Sequence, residues 1–497
     1  MAVVAATAVA VLAAASAAGA APTQPLTLGT GSNPLVAVDA TGTAHFVWNR
    51  QVGEGRDIAY AVEYCRIRRI PLGAAGCEAK QTLGAGLASA FAFDLLLRPS
   101  ETGGTDVIVL ANGGETDMFG GSYSIVSSDG GAWSVSHVST RGANDAQLAA
   151  DRNYVELLSG GWFVQAPLTG PASDKGFDVR SGTGFAGAQL GRIARTGATI
   201  MTGTARGTPG SRNSGSGAIR FLTGTVAGAG NDEAAWTAWR ARPATFLSWL
   251  ATGPGGAYVL AESASRFCAL RTLAIRRFAG TQLDPPSQIS YYRGICEGVW
   301  PGPLRFSHLT QDLAGRLQSA WLSYRDGCLG KRCIIYRRAT AAGRPLGQKT
   351  TLRASRGFAY NLRVAGGRDP SHAWVVWQEG SGGDEPIVAQ HAFVSSEAAA
   401  GDGTVRLQMP PECVRPGKRF YAKLVPDGVR AAAVRFTVSR ERAGLRPRRR
   451  RDTRAPFKVR IRVPREHALR TVRITARVKP RGGGDAVKVY QDVSYGC

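Results

Sequence analysis

Methionine and histidine are scarce in this 497-residue chain, at four and six copies. The six histidines stand singly, so a His-rich metal tract is excluded, and no His-Glu-x-x-His pair is present to hold zinc beside a general base. No Cys-x-x-Cys occurs, which removes the common zinc-ribbon spacing. No serine sits in Gly-x-Ser-x-Gly, so a strand-to-helix nucleophile elbow has no candidate. A Walker loop is missing, as is Gly-x-Gly-x-x-Gly in a strand-turn-helix setting, which removes the usual phosphate cradles. Helix-turn-helix, RNP and zinc-finger patterns are also absent, and no nucleic-acid partner is expected. Helical periodicity is weak throughout. Beyond the first 21 residues no apolar run reaches 18, so no transmembrane segment is expected in the mature chain. Acidic residues are few, 36 against 61 Lys+Arg, a formal charge of 61 − 36 = +25.

Glycine is abundant: 63 of 497 is about 13 %, without the every-third-residue period of collagen. Residues 2–21 form an uncharged Ala/Val-rich run that ends at Pro22-Thr23-Gln24-Pro25. Ala18-Gly19-Ala20 supplies the small residues of a cleavage site, so residues 1–21 read as a signal peptide and the protein as secreted or cell-surface. The run lacks the basic residues that open most such segments. The cysteines agree with export. Cys65, Cys77, Cys268, Cys296, Cys328, Cys333, Cys413 and Cys497 make an even set, which in an oxidising compartment reads as disulfides. Eight cysteines allow 105 connectivities; sequential pairing would give 65–77, 268–296, 328–333 and 413–497.

A repeat organises residues 22–400. Residues 34–48 read as strand, Asp/Gly turn, strand, ending in Trp48, and residues 306–321 do the same, ending in Trp321. The spacing from Asp39 to Trp48 is nine residues, and so is that from Asp312 to Trp321. Residues 362–377 form a third copy ending in Trp377. Weaker copies give one first-strand residue each, so that the series runs Val36, Leu95, Leu148, Ile193, Leu247, Phe306 and Leu362. The intervals of 59, 53, 45, 54, 59 and 56 average about 54 residues. Short strands and Gly-rich turns at that period suit the four-stranded blades of a β-propeller. Seven blades are favoured and six are possible, because residues 145–230 are irregular.

Residues 127–134, Ser-Ser-Asp-Gly-Gly-Ala-Trp-Ser, resemble the Asp box of sialidase-like (BNR-repeat) propellers, one residue short before the tryptophan. The resemblance implies a structural turn at Ser127, Asp129, Gly131 and Trp133. The hairpin Cys65–Cys77 resembles a stapled hairpin of secreted actinobacterial proteins of unassigned function. A sialidase-like hydrolase would need three arginines around a carboxylate, a tyrosine activated by a glutamate, and an aspartate acid/base. Arg69-Ile70-Pro71 matches an Arg-Ile-Pro signature but lies too late in the chain, and Tyr291-Tyr292 has no Glu or Arg tied to it by spacing. No catalytic residue, metal ligand or cofactor is assigned.

Residues 401–497 differ in composition. They hold 25 Lys+Arg against 8 Asp+Glu, a net of +17, which leaves +8 for residues 1–400. Apolar and basic residues alternate at 434–438, 457–463 and 471–478, the period of strands with one buried and one cationic face. Asp452-Thr-Arg-Ala-Pro-Phe457 resembles the strand entry of bacterial Ig-like modules, so a small basic β-sandwich is expected. Arg448, Arg449, Arg450 and Arg451 read as a loop able to contact polyanions. The expectation is an all-β chain, a propeller and then an Ig-like sandwich. Its expected role is binding a glycan or anionic envelope polymer without catalysis, with sialidase-like hydrolysis as the alternative.

Overall fold

A computed structural model describes the strands and most connections between residues 25 and 495. The longer segments outside that description are 1–24, 54–57, 69–75, 115–119, 179–189, 207–215, 224–235, 241–244, 265–270, 293–306, 324–332, 340–344, 353–358, 368–372, 393–396, 409–412, 441–447, 463–469 and 482–485. Between 190 and 250 it describes backbone almost alone. The expected signal peptide therefore lies outside the described residues. Among those residues the chain is all-β, with no helix and so none long and apolar enough to cross a membrane. Two compact units divide it, Pro22–Val394 and Ser395–Cys497.

The first unit is built from antiparallel sheets in sequence order, four of them with four strands, one with five, and the first and last joined through a shared strand into seven. Local chemistry explains the hairpins that carry the repeat. Asp39 ends the inner strand Leu26–Val38, and its Oδ1 accepts the N–H groups of Thr41 and Thr43, both at 2.9 Å, while Gly42 takes φ 89°. Asp312 repeats the device after Ser307–Gln311: its Oδ1 accepts the Arg316 N–H at 2.9 Å, and Gly315 takes φ 77°. An Asx turn of this kind supplies the hydrogen bonds that a tight turn leaves unmade. The return strand then carries the tryptophan. Trp48, Trp321 and Trp377 are fully buried. In Ala44–Val52, Phe46 and Trp48 pack toward the last sheet, while Val47 packs toward the second. Both faces of these strands are covered, which is why they read as continuous apolar runs.

The innermost strands pack in a closed circuit: Leu26–Val38, Ser89–Pro99, Asp145–Leu148, Leu190–Thr196, Thr245–Gly253, Ser307–Gln311, Ala359–Gly366, and back to the first. Leu26–Val38 closes it by serving two sheets. Its residues 26–31 pair with Glu385–His391 of the last sheet, and residues 32–38 pair with Ala44–Val52 of the first. This ring of sheets is a β-propeller arrangement, and the shared strand covers an edge that would otherwise be exposed. The region expected to be irregular forms sheets as well, with short strands such as Asp145–Leu148 and Gly176–Asp178.

Side-chain amides fasten neighbouring sheets. Asn49 donates to the Ala92 carbonyl (2.9 Å) and accepts the Ala92 N–H (2.6 Å). The half-buried Asn112, on the corresponding strand of the second sheet, does the same to Ala143, in the connection that enters the third, at 2.6 and 2.7 Å. Gln378 follows Trp377 as Asn49 follows Trp48, and it accepts from Asn33 N and from Asn361 Nδ2. Each clasp satisfies backbone groups where adjacent sheets converge.

The second unit has two sheets. One orders Glu397–Ala400, Gly403–Gln408, Arg419–Asp427 and Lys458–Arg462. The other orders Cys413–Val414, Val487–Tyr495, Arg470–Pro480, Ala431–Arg440 and Arg448–Asp452. Val405, Leu407, Phe420, Leu424 and Val459 of the first share one core with Phe436, Ile474, Val478 and Val489 of the second. The arginine run corrects the expectation of a loop: residues 448–452 are an edge strand paired with Ala431–Arg440. An edge tolerates such charge because one side of it stays in water, and the charge itself discourages unwanted strand pairing.

Candidate functional site

A cavity of about 210 Å³ lies where the innermost strands meet. All seven inner strands contribute to its lining, which includes Val36, Leu95, Ala146, Ile193, Ala251, Leu309 and Val364. Its polar members are Asp94, Asp145, Gln147, His308, Thr310 and Arg363. Several inner strands shift register just ahead of the lining residues, between Ser32 and Leu35, Ala92 and Asp94, Leu247 and Trp249, and Tyr360 and Arg363. Such bulges turn the following side chains.

Three of the polar groups also hold the ring together. Asp94 accepts the Leu95 N–H at 2.8 Å and, across the gap, the Ala146 N–H at 3.0 Å. Asp145 accepts the Ile193 N–H at 2.6 Å. His308 Nδ1 accepts the Val364 N–H at 3.1 Å, which leaves the proton of a neutral ring on Nε2. Each acceptor takes a backbone N–H of the next inner strand. Arg363 donates to its neighbour's carbonyl, Leu362 O, at 3.0 Å. The cavity thus gathers two carboxylates and a guanidinium beside apolar side chains, on a lining that is more polar than apolar. Among the described residues its lining contains no serine, cysteine or lysine.

A second polar group is buried in the first sheet. His45 Nδ1 lies 2.8 Å from the Tyr64 hydroxyl, and His45 Nε2 lies 3.7 Å from Asp39. Burial pushes the Asp39 carboxyl up, but hydrogen bonds from His45, Thr41 and Thr43 outweigh it and hold the group below its ordinary value. Burial alone pulls Arg337 down to about 9. Among the described residues no cluster of three His, Cys, Asp or Glu side chains is placed to hold a metal.

The residues singled out from the sequence do not converge. Cys65 and Cys77 are joined across the first sheet with Cα atoms 5.4 Å apart. Cys333 is disulfide-bonded and Cys413 lies in a short strand; Cys268, Cys296, Cys328 and Cys497 lie outside the described residues. Asp129, Arg69, Ile70 and Pro71 lie outside them too, and Tyr291 and Tyr292 end the strand Ser287–Tyr292. Ser127 is buried beside the hairpin turn, where Gly131 N–H bonds Ser128 O at 3.0 Å. Trp133 sits edge-on to Tyr64 and donates to Gln81 at 2.5 Å, so this hairpin docks on the first sheet. Arg449, Arg450 and Arg451 are exposed, and Arg448 shares their strand. The cavity residues were missed because no local motif marks them; the first-strand series Val36, Leu95 and Ile193 passes through the lining.

No family model matches the chain, and no curated protein does. Solved structures are similar to the chain, two peptidases among them. An acylaminoacyl peptidase from Pyrococcus horikoshii gives a TM-score of 0.39 at 9 % identity, covering 78 % of this chain and 60 % of that one. A prolyl endopeptidase gives 0.36 at 11 % identity, covering 82 % and 55 %. The chain therefore spans less than two thirds of either protein, and likeness at this level assigns no activity. The comparisons do correct the sequence reading. Neither protein is a sialidase, and the Asp-box resemblance rests on one degenerate hairpin. The sialidase-like assignment is withdrawn, together with glycan binding without catalysis: no family model or curated protein matches, and neither of these two structures is named as a sialidase or a glycan-binding protein.

Proposed function

We propose that the unit Pro22–Val394 is a seven-bladed propeller whose axial cavity takes a small dipolar ligand, one with an amine at one end and a carboxylate at the other. The observation that carries this reading is the presence of Asp94, Asp145 and Arg363 on one small cavity. Opposite charges on one small cavity orient a ligand that carries both signs. The circuit of seven inner strands supports the blade count. The shared core of its two sheets supports an Ig-like module for Ser395–Cys497. The Cys65–Cys77 bond supports an exported protein.

Calorimetric titration with free amino acids and dipeptides, each beside its N-acetylated and its C-amidated form, tests the reading. The free forms are expected to bind at least about tenfold more tightly than either blocked form, a difference of about 1.4 kcal/mol. Arg363→Gln should abolish the discrimination against amidation and leave that against acetylation. Equal binding of free and blocked probes, or no binding by any, overturns it.

A further inference from the structure

The outer face of the five-stranded sheet in the second unit carries cations in register. Arg451 lies opposite Arg435, Arg435 opposite Arg477, and Arg477 opposite Lys488. All four are exposed. In the next row on this face Arg449 faces Thr437, Thr437 faces Thr475, and Thr475 faces Tyr490. On the other side Lys479 lies opposite Ala433. No acidic residue stands in these three rows; the first one beyond them is Asp492, opposite Arg473.

Like charges directly opposite on adjacent strands oppose folding. Four in one row place a standing repulsion across about 14 Å, at the usual strand spacing near 4.8 Å. Along two of the four strands a second cation follows two residues away on the same face, at about 6.6 Å: Arg449 beside Arg451, and Lys479 beside Arg477. A single small anion covers one or two of these positions, whereas a linear polymer with one anion per repeat can follow the row of four and reach the flanking Arg449 and Lys479. A phosphodiester fits better than a carboxylate. Its two non-bridging oxygens point apart and reach guanidinium groups on neighbouring strands, while a carboxylate's coplanar pair suits the fork of one arginine.

We propose that this face, centred on Arg435, Arg477, Arg451 and Lys488, binds a linear phosphate polymer that carries no bases. Long-chain inorganic polyphosphate is the probe, titrated into the full chain and read by calorimetry. R435E/R477E/K488E should weaken binding at least tenfold. A charge-matched change on the opposite sheet, R419E/K458E/R462E, should weaken it less than threefold. With four phosphates engaged at about −0.7 in slope each, raising salt fourfold should cost about 50-fold in affinity. In the unmodified chain, polyphosphate should shield residues 431–440 and 470–480 from arginine- and lysine-directed labelling, a readout that needs no variant to fold. Equal losses from both triple variants, or labelling unaffected by polyphosphate, would reduce the effect to net charge and overturn the site. Polyglutamate binding as tightly at equal charge would overturn the phosphate, and single-stranded DNA binding more tightly per phosphate would overturn the base-free polymer.

Discussion

Replacing Asn49 with alanine tests whether the side-chain amides fasten the ring. Asn49 is fully buried and makes two bonds to Ala92 on the neighbouring sheet. Their loss is unequal in effect. The Ala92 carbonyl keeps a second donor, Asn33 Nδ2 at 3.0 Å, so it stays paired. The Ala92 N–H has Asn49 Oδ1 as its acceptor, and Ala92 itself is fully buried. Stranding one buried donor costs about 1–3 kcal/mol, and the lost bond to the carbonyl adds about 1. The expected destabilisation is therefore about 2–4 kcal/mol. Asn33→Ala, which leaves the Ala92 N–H paired, should cost about 1 kcal/mol. The assay is denaturant unfolding followed by tryptophan fluorescence, with hydrogen exchange of the segment around residue 92 as the local readout. Asn49→Ala should release that amide before the ring unfolds. If Asn49→Ala costs no more than Asn33→Ala, or the Ala92 amide stays as protected as before, the clasp is incidental and the argument fails.

Acid should loosen the first hairpin through Asp39. Its folded-state pKa lies below the ordinary value of 3.8, so its contribution is present above that value and is lost as pH falls through the folded pKa. Asp39→Asn keeps an acceptor oxygen but removes the titration, so stability measured from pH 6 to pH 2 should flatten at the acid end; an unchanged acid limb would count against it. Gly130→Ala should be strongly destabilising, by more than about 2 kcal/mol, because a Cβ there would lie 2.3 Å from the Tyr64 hydroxyl and φ is +69°. Adding Tyr64→Phe removes that oxygen and should recover part of the loss in a double-mutant cycle. Strict additivity of the two changes would show that the hairpin does not seat on Tyr64.

The propeller repeat was legible because one of its devices is local. An aspartate that caps a turn and a tryptophan nine residues later both belong to one hairpin, so Asp39/Trp48 and Asp312/Trp321 carry the same spacing. The strands around Leu148 and Ile193 were faint for the opposite reason. Asp145–Leu148 is four residues long, and a strand that short has no room for visible alternation. The clasps were illegible altogether. Asn112 is one amide at the end of an apolar run, and what makes it a fastener is the position of Ala143 in the connection that enters another sheet. Arg448–Arg451 was misread for a related reason. Charge density marks solvent exposure, which loops and edge strands share, and the pairing with Val438, Thr437, Phe436 and Arg435 is a tertiary fact.

The same distinction governs how the cavity should be probed. Asp94 and Asp145 line it, yet each also accepts a backbone N–H from the next sheet. Removing either carboxylate strands a donor within the ring, so a loss of binding in those variants would not separate a ligand contact from a loosened fold. Arg363 poses the question differently, because a guanidinium only donates and so accepts no backbone N–H from the next sheet. A neutral glutamine there removes the positive charge without touching the inter-sheet N–H bonds at Ala146, Ile193 and Val364. Ring geometry, followed by hydrogen exchange across Asp94–Leu97, should be unchanged in Arg363→Gln while the affinity for carboxylate-bearing probes falls. If exchange rises together with the loss of binding, Arg363 belongs to the scaffold and the dipolar ligand loses its anchor.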